Sequence, residues 1–203
     1  MSLMGIGCRD KTVGLIGMGK LALYMVPRLL AFDMRLLYTK PNRLPIERER
    51  DLGVEWSPNL DDLLKRSDFV CVACRYNNPS THKLIGKREL DLMKRQAFLI
   101  NTGRGRIVDE PELISALKEK RIAGAALDVF WNEPYWNESW APEEPWVPNE
   151  LCKLDNVILS PHNGGATWEV RGRKAAGVAR GMVAMMRGER PETLFNPQIY
   201  AEA

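Results

Sequence analysis

The stretch TVGLIGMGKLALYM, residues 12 to 25, decides the fold. An apolar, strand-like run, TVGLIG (12 to 17), leads straight into KLALYMVPRLLAF (20 to 32), whose apolar residues recur at helical spacing. The junction reads Gly17-Met18-Gly19-Lys20-Leu21-Ala22. Gly17 permits a tight turn after the first strand, and Gly19 lets the backbone approach a pyrophosphate. Ala22 keeps the helix close to the strand, and the amides that open the helix hold the phosphates. The bland alternative is a strand-to-helix turn with no ligand. The strand before it, the helix after it and the alternating pattern beyond favour the dinucleotide-binding reading. Pro27 lies inside the first helix, where it removes a hydrogen bond and is expected to kink the chain.

Working outward, strand and helix keep alternating. MRLLYT (34 to 39), DFVCVAC (68 to 74), AFLIN (97 to 101), AGAALDVF (123 to 130) and NVILS (156 to 160) read as strands. NLDDLLKRS (59 to 67), DEPELISALKEKRI (109 to 122) and ATWEVRGRKAAGVARGMVAMMRG (166 to 188) read as helices, with Asp109 and Glu112 placed for a capping box. This pattern predicts an α/β fold, a doubly wound parallel sheet of Rossmann type. Residues 1–11 form a leader with a tag remnant in MSL, 12–188 the dinucleotide-binding domain, and 189–203 a tail that leaves it. Residues 131 to 150 break the rhythm with four of the six tryptophans and four prolines. That segment is expected to pack at a subunit interface, to shield the site beside Glu133, or to fold over its own core.

Composition removes several function classes. A net charge of +3, with bases and acids interspersed, leaves no nucleic-acid patch and no polybasic membrane anchor. No apolar run reaches the length of a membrane span, and the N-terminus lacks the regions of a signal peptide. Four cysteines in 203 residues do not make a disulfide scaffold, and Cys71 and Cys74 fall in a strand-like run rather than in a metal motif. A reducing cytoplasm and no bound metal are expected.

One short stretch, LSPHNGGAT (159 to 167), holds His162, one of two histidines. Alone it could be a turn residue or the proton donor of an active site. Taken with KTVGLIGMGK, FLINTGRGRIVDEPELISAL, GAALDVFWNEP, VILSPHNGGAT and MRGERPETLFNP, it makes the chain resemble the cofactor-binding domain of D-2-hydroxyacid dehydrogenases, in the glyoxylate/hydroxypyruvate reductase branch.

That resemblance implies an oxidoreductase moving a hydride between NAD(P)H and a small 2-keto or 2-hydroxy acid, working as a homodimer. Arg104 would clamp the substrate carboxylate and polarise the keto oxygen. Glu133 would hydrogen-bond His162 and keep a proton available near neutral pH, and His162 would give that proton to the carbonyl oxygen. Asp128 would position the nicotinamide carboxamide. Cofactor contacts are expected at Gly17, Met18, Gly19, Lys20, Leu21, Cys74, Arg75, Thr102, Gly103, Arg104, Asp128, His162 and Gly164. His82 matches no catalytic position and is expected to be exposed.

The family's N-terminal substrate segment has no counterpart here, so this chain is expected to bind a dinucleotide yet turn over glyoxylate or hydroxypyruvate slowly. A dinucleotide-sensing interaction protein, as in related corepressors, is the alternative function, and an empty nucleotide fold a third. Strand two ends LLYTKPNR, with Lys40 where NAD-preferring folds carry an acid. Thr39, Lys40 and Arg43 therefore predict NADP(H) favoured over NAD(H), against the alternative of a solvated basic loop.

Overall fold

The computed structural model describes residues 5–133, 147–194, 196 and 198. Its elements run β1 (Thr12–Ile16), α1 (Lys20–Leu30), β2 (Arg35–Thr39), α2 (Ile46–Leu52), β3 (Val54–Trp56), α3 (Leu60–Arg66) and β4 (Phe69–Val72). Then follow α4 (Lys87–Leu92), β5 (Phe98–Asn101), a 3-10 turn (Gly105–Ile107), α5 (Glu110–Lys118), β6 (Gly124–Leu127), α6 (Asn149–Cys152), β7 (Val157–Leu159) and α7 (Trp168–Met186). The chain divides after Pro161 into two compact units.

The first unit holds one sheet of seven strands in the order β3-β2-β1-β4-β5-β6-β7, every pairing parallel. Strand order reverses at the β1–β4 junction, the place where such sheets open a ligand crevice. Side-chain alternation loads both faces. Val13, Leu15, Leu36, Tyr38 and Cys71 join Ala22 and Val26 of α1 on one side. Ile16, Val70, Val72 and Leu99 join Leu63, Leu90, Leu113 and Leu117 of α3, α4 and α5 on the other. Each such Val or Leu stabilises the fold by about 1.5–3 kcal/mol.

The second unit begins at His162 and contains α7, capped by Thr167, whose hydroxyl accepts from Val170 N at 3.3 Å. No residue of α7 is buried.

The α/β architecture is the one expected, with three differences in detail. The segments 46 to 56, 87 to 92 and 149 to 152, none of them read as an element from sequence, supply α2 and β3, α4 and α6. The capping box at Asp109 does not form. Asp109 begins α5 without a side-chain cap and instead pairs with Lys83 Nζ at 3.1 Å. The helix α1 continues through Pro27, which is exposed. The Trp-rich segment lies mostly outside the described residues, as does most of the tail beyond Leu194.

Candidate functional site

All strands point the same way, so their C-terminal ends share one edge of the first unit. Gly17 follows β1, Thr39 ends β2, Trp56 ends β3, Ala73 follows β4, Thr102 follows β5 and Asp128 follows β6.

At the β1 turn Gly17 adopts φ +98°, a left-handed conformation that disfavours other residues. A Cβ there would meet Cys74 Cα at 2.8 Å, so the glycine also allows the β1 and β4 turns to touch. Its amide donates to Thr39 O at 2.9 Å. Gly19 caps α1, a Cβ on it would meet nothing within 4 Å, and the first turn of the helix carries no acid. The open amides and the positive end of the helix therefore face an unobstructed space.

That space is a cavity of about 750 Å³ lined by Gly19, Lys20, Leu21, Ala73, Cys74, Arg75, Tyr76, Thr102, Gly103 and Arg104. Its lining includes three cations and no carboxylate, the balance that an anionic pyrophosphate requires. Eight of the residues expected to contact a cofactor are brought together here.

A second cavity, about 390 Å³, adjoins the first through Cys74. It includes Gly17, Thr39, Lys40, Pro41, Trp56 and Leu60, a mostly apolar wall with one cation at its mouth. Trp56 Nε1 is buried with no hydrogen-bond partner among the described residues. Arg43 lies beside this wall, its guanidinium 5.0 Å from the Trp56 ring centroid, and pairs with Glu49 through Nε at 2.9 Å and Nη2 at 2.8 Å. Met18 is buried in the core beneath the turn rather than lining either cavity.

Arg104 and Glu133 meet around a third, small cleft of about 30 Å³, with Tyr76, Arg106 and Trp131. Arg104 is exposed, its Nη1 donating to Gly103 O at 2.7 Å. The side chain of Asn101, buried at the end of β5, bonds Gly103 N and Arg104 O, both at 3.1 Å, and so shapes this turn. Glu133 is 1% exposed and accepts from Phe130 N at 2.8 Å. The two turns press together where a Cβ on Gly105 would fall 2.1 Å from the Phe130 carbonyl.

Trp131 braces the same corner. Its Nε1 donates to Val108 O at 2.6 Å, its amide donates to Glu110 at 3.3 Å, and Lys83 lies 4.8 Å from its ring centroid. His82 is exposed, as expected, and stacks on Trp131 at 6.5 Å. Asp128 accepts from Ser160 Oγ at 2.6 Å. His162 and Gly164 belong to the second unit; His162 is exposed at φ +49°.

Burial pushes the Cys74 thiol above its ordinary value, and pushes Cys71, enclosed in β4, up to about 12. Both are poor nucleophiles. No cluster of metal-ligating side chains occurs among the described residues.

Sequence reasoning missed Trp56, Tyr76, Glu49 and Glu110. Tyr76 follows a strand-like run, which is the position that marked the other candidates, whereas Trp56 ends a strand too short to register in the sequence. Nothing in the sequence singled out the two acids.

Residues 1–164 match the family model described as D-isomer specific 2-hydroxyacid dehydrogenase, NAD binding domain. The chain is 44% identical over 196 residues to a glyoxylate reductase of Pyrococcus horikoshii, covering 97% of this chain and 54% of that one. Among solved structures, D-lactate dehydrogenase with NAD+ from Lactobacillus jensenii superposes with a TM-score of 0.83 at 28% identity, covering 95% of this chain and 58% of that one. A glyoxylate reductase from Paecilomyes thermophila gives 0.77 at 31% identity, covering 92% and 53%. The chain thus spans about half the length of the relatives it matches.

Proposed function

The chain belongs to the D-isomer specific 2-hydroxyacid dehydrogenases, and from that premise we propose that the protein transfers a hydride between NADP(H) and a small 2-keto or D-2-hydroxy acid of the glyoxylate or hydroxypyruvate class. One observation carries the reading. The cation-lined cavity at the ends of β1, β4 and β5 adjoins the small cleft that holds Arg104 and Glu133, with Tyr76 and Arg104 common to both.

A bound reduced nicotinamide supplies the hydride; the remaining tasks fall to side chains of this chain. The amides opening α1, with Lys20 and Arg75, would hold the pyrophosphate. Asp128 orients the carboxamide, held in its rotamer by Ser160. The guanidinium of Arg104 grips the substrate carboxylate and draws electron density onto the carbonyl oxygen, its fork matching a carboxylate better than a point charge would. His162 would give a proton to that oxygen, and Glu133 would support that role, as the family resemblance implies. Gly164 would be a further cofactor contact.

The phosphate that distinguishes NADP(H) falls to Lys40, which lines the cavity walled by Trp56, and to Arg43, set against the Trp56 ring. Two features support this preference: no acid ends β2, and a basic side chain stands in that place. No helix among the described residues is long and apolar enough to cross a membrane. The family resemblance supports a homodimer, and the four free thiols suit a reducing compartment. The relatives are named as reductases and dehydrogenases, and no observation favours a corepressor-like sensor over the enzyme.

Titration of the purified chain with NADPH and NADH, followed by nicotinamide fluorescence, tests the first half. Saturable binding with NADPH tighter is the expected result, and no binding of either would defeat the reading. Glyoxylate-dependent loss of nicotinamide absorbance in the full-length protein, abolished by His162→Ala, tests the second half. Undiminished turnover in that variant would remove His162 from its role.

A further inference from the structure

An ionic assembly, buried at Tyr38 and Glu49 and exposed at Arg43, lies next to the end of β2 and takes no part in hydride or proton transfer. Tyr38 in β2 is wholly buried. Its hydroxyl donates to Glu49 Oε1 at 2.6 Å and accepts from Leu44 N at 2.8 Å. Glu49, 6% exposed, is the one buried residue of α2. It receives both Nε and Nη2 of Arg43, and the guanidinium is set against the ring of Trp56 in β3. An apolar residue would be the easier choice on the inner side of a helix, since burying a carboxylate carries a desolvation cost. What an acid achieves there, and an apolar residue does not, is to orient a guanidinium.

Arginine carries five N–H donors on a planar fork. Glu49 occupies one edge, Nε with Nη2, which leaves Nη1 and the second N–H of Nη2 as an intact edge. Lys40, three residues earlier, lines the cavity that Trp56 also lines.

We propose that Glu49 is a positioning residue for cofactor discrimination: it clamps Arg43 by one edge against Trp56, so that the opposite edge meets a phosphate monoester on the adenosine ribose. This rests on the NADP(H) preference proposed above. A flexible arginine loses side-chain freedom when it binds, whereas one already held loses little. A ribose with a plain 2′-hydroxyl gains nothing from the clamp, so it discriminates rather than tightening every dinucleotide. The Arg43 hydrogen bonds keep Glu49 below the ordinary carboxylate range, so the clamp stays ionised at neutral pH. Burial first, and the bond to Glu49 second, hold the Tyr38 hydroxyl above the usual phenol value, so it remains a donor.

The test is the pair of dissociation constants for NADPH and NADH on the purified chain, by nicotinamide fluorescence. Glu49→Gln turns one guanidinium acceptor into an amide donor and breaks the fork. NADPH is expected to weaken roughly tenfold, about the change that follows loss of one charge-assisted hydrogen bond, with NADH within about twofold. Tyr38→Phe keeps the core shape, frees Glu49 to turn, and is expected to move the ratio in the same direction by less. It serves as the second variant if circular dichroism shows Glu49→Gln unfolded. On an Arg43→Ala background, Glu49→Gln is expected to change neither constant. An unchanged or improved NADPH-to-NADH ratio in folded Glu49→Gln or Tyr38→Phe overturns the proposal, even if melting temperature falls. Equal constants in the wild-type chain overturn the preference itself, and the clamp with it, before any variant is made.

Discussion

Replacing Glu110 with glutamine is expected to make the fold more stable above neutral pH and to leave it unchanged in acid. Glu110 opens α5, is 9% exposed, and has one described partner, the Trp131 amide at 3.3 Å. Burial pushes its carboxyl from 4.5 up to about 7, against the pull of that amide. The folded chain therefore keeps its proton at a pH where the unfolded chain has released it. Below about 4.5 both states are protonated and nothing is lost. Stability falls as pH rises from about 4.5 to about 7, and above that the loss is complete at about 3 kcal/mol. The positive end of α5 favours the ionised form by up to about 1 kcal/mol, which leaves about 2–3 kcal/mol. Glutamine removes the charge and keeps an oxygen for the Trp131 amide. Urea unfolding of both proteins by circular dichroism at pH 5, 6, 7 and 8 should show a gap that opens through this range. A constant gap, or a less stable variant at pH 8, would refute the reasoning.

Two further outcomes follow from packing. Gly105→Ala drives a Cβ to 2.1 Å from the Phe130 carbonyl, where only backbone could yield, so a loss of about 3 kcal/mol and of roughly 10 °C in Tm is expected; a shift under about 2 °C would show that the turns are not in contact. Of the four thiols, Cys8 and Cys152 are exposed and should react at once with a disulfide reagent, Cys74 slowly and more slowly still with NADPH present, and Cys71 only after unfolding. Fast reaction of Cys71 in the native chain would contradict its place in β4.

The architecture was legible because its strands are buried on both faces. Runs such as LIG and FVCV then need no partner to be recognised, and glycines mark where they stop. Short elements escaped for a specific reason. The helix IERERDL shows no apolar stripe because its buried position is Glu49, and only the tertiary contacts to Tyr38 and Arg43 make that position tolerable. The strand VEW is a three-residue edge strand, too brief for periodicity to register. Asp109 looked like a helix cap from its neighbours, yet it pairs with a lysine 26 positions away. At the site, the glycine turn could be read from physics alone, whereas Arg104, Glu133 and His162 stood out only through family resemblance. A loop arginine and a loop acid carry no local signature of catalysis.

The backbone contact between Gly105 and Phe130 bears on how this protein can be changed. The turn that carries Arg104 and the turn that leads to Glu133 meet with no side chain between them, so no substitution there can act as a shim. Their separation is set by main chain and cannot be tuned in small steps. A lineage or an engineer seeking a roomier cleft would have to leave that spacing alone. Variation is open instead at Tyr76, whose side chain lines the cleft and takes no part in that main-chain contact. The cleft is thus adjustable in its walls and fixed in its span.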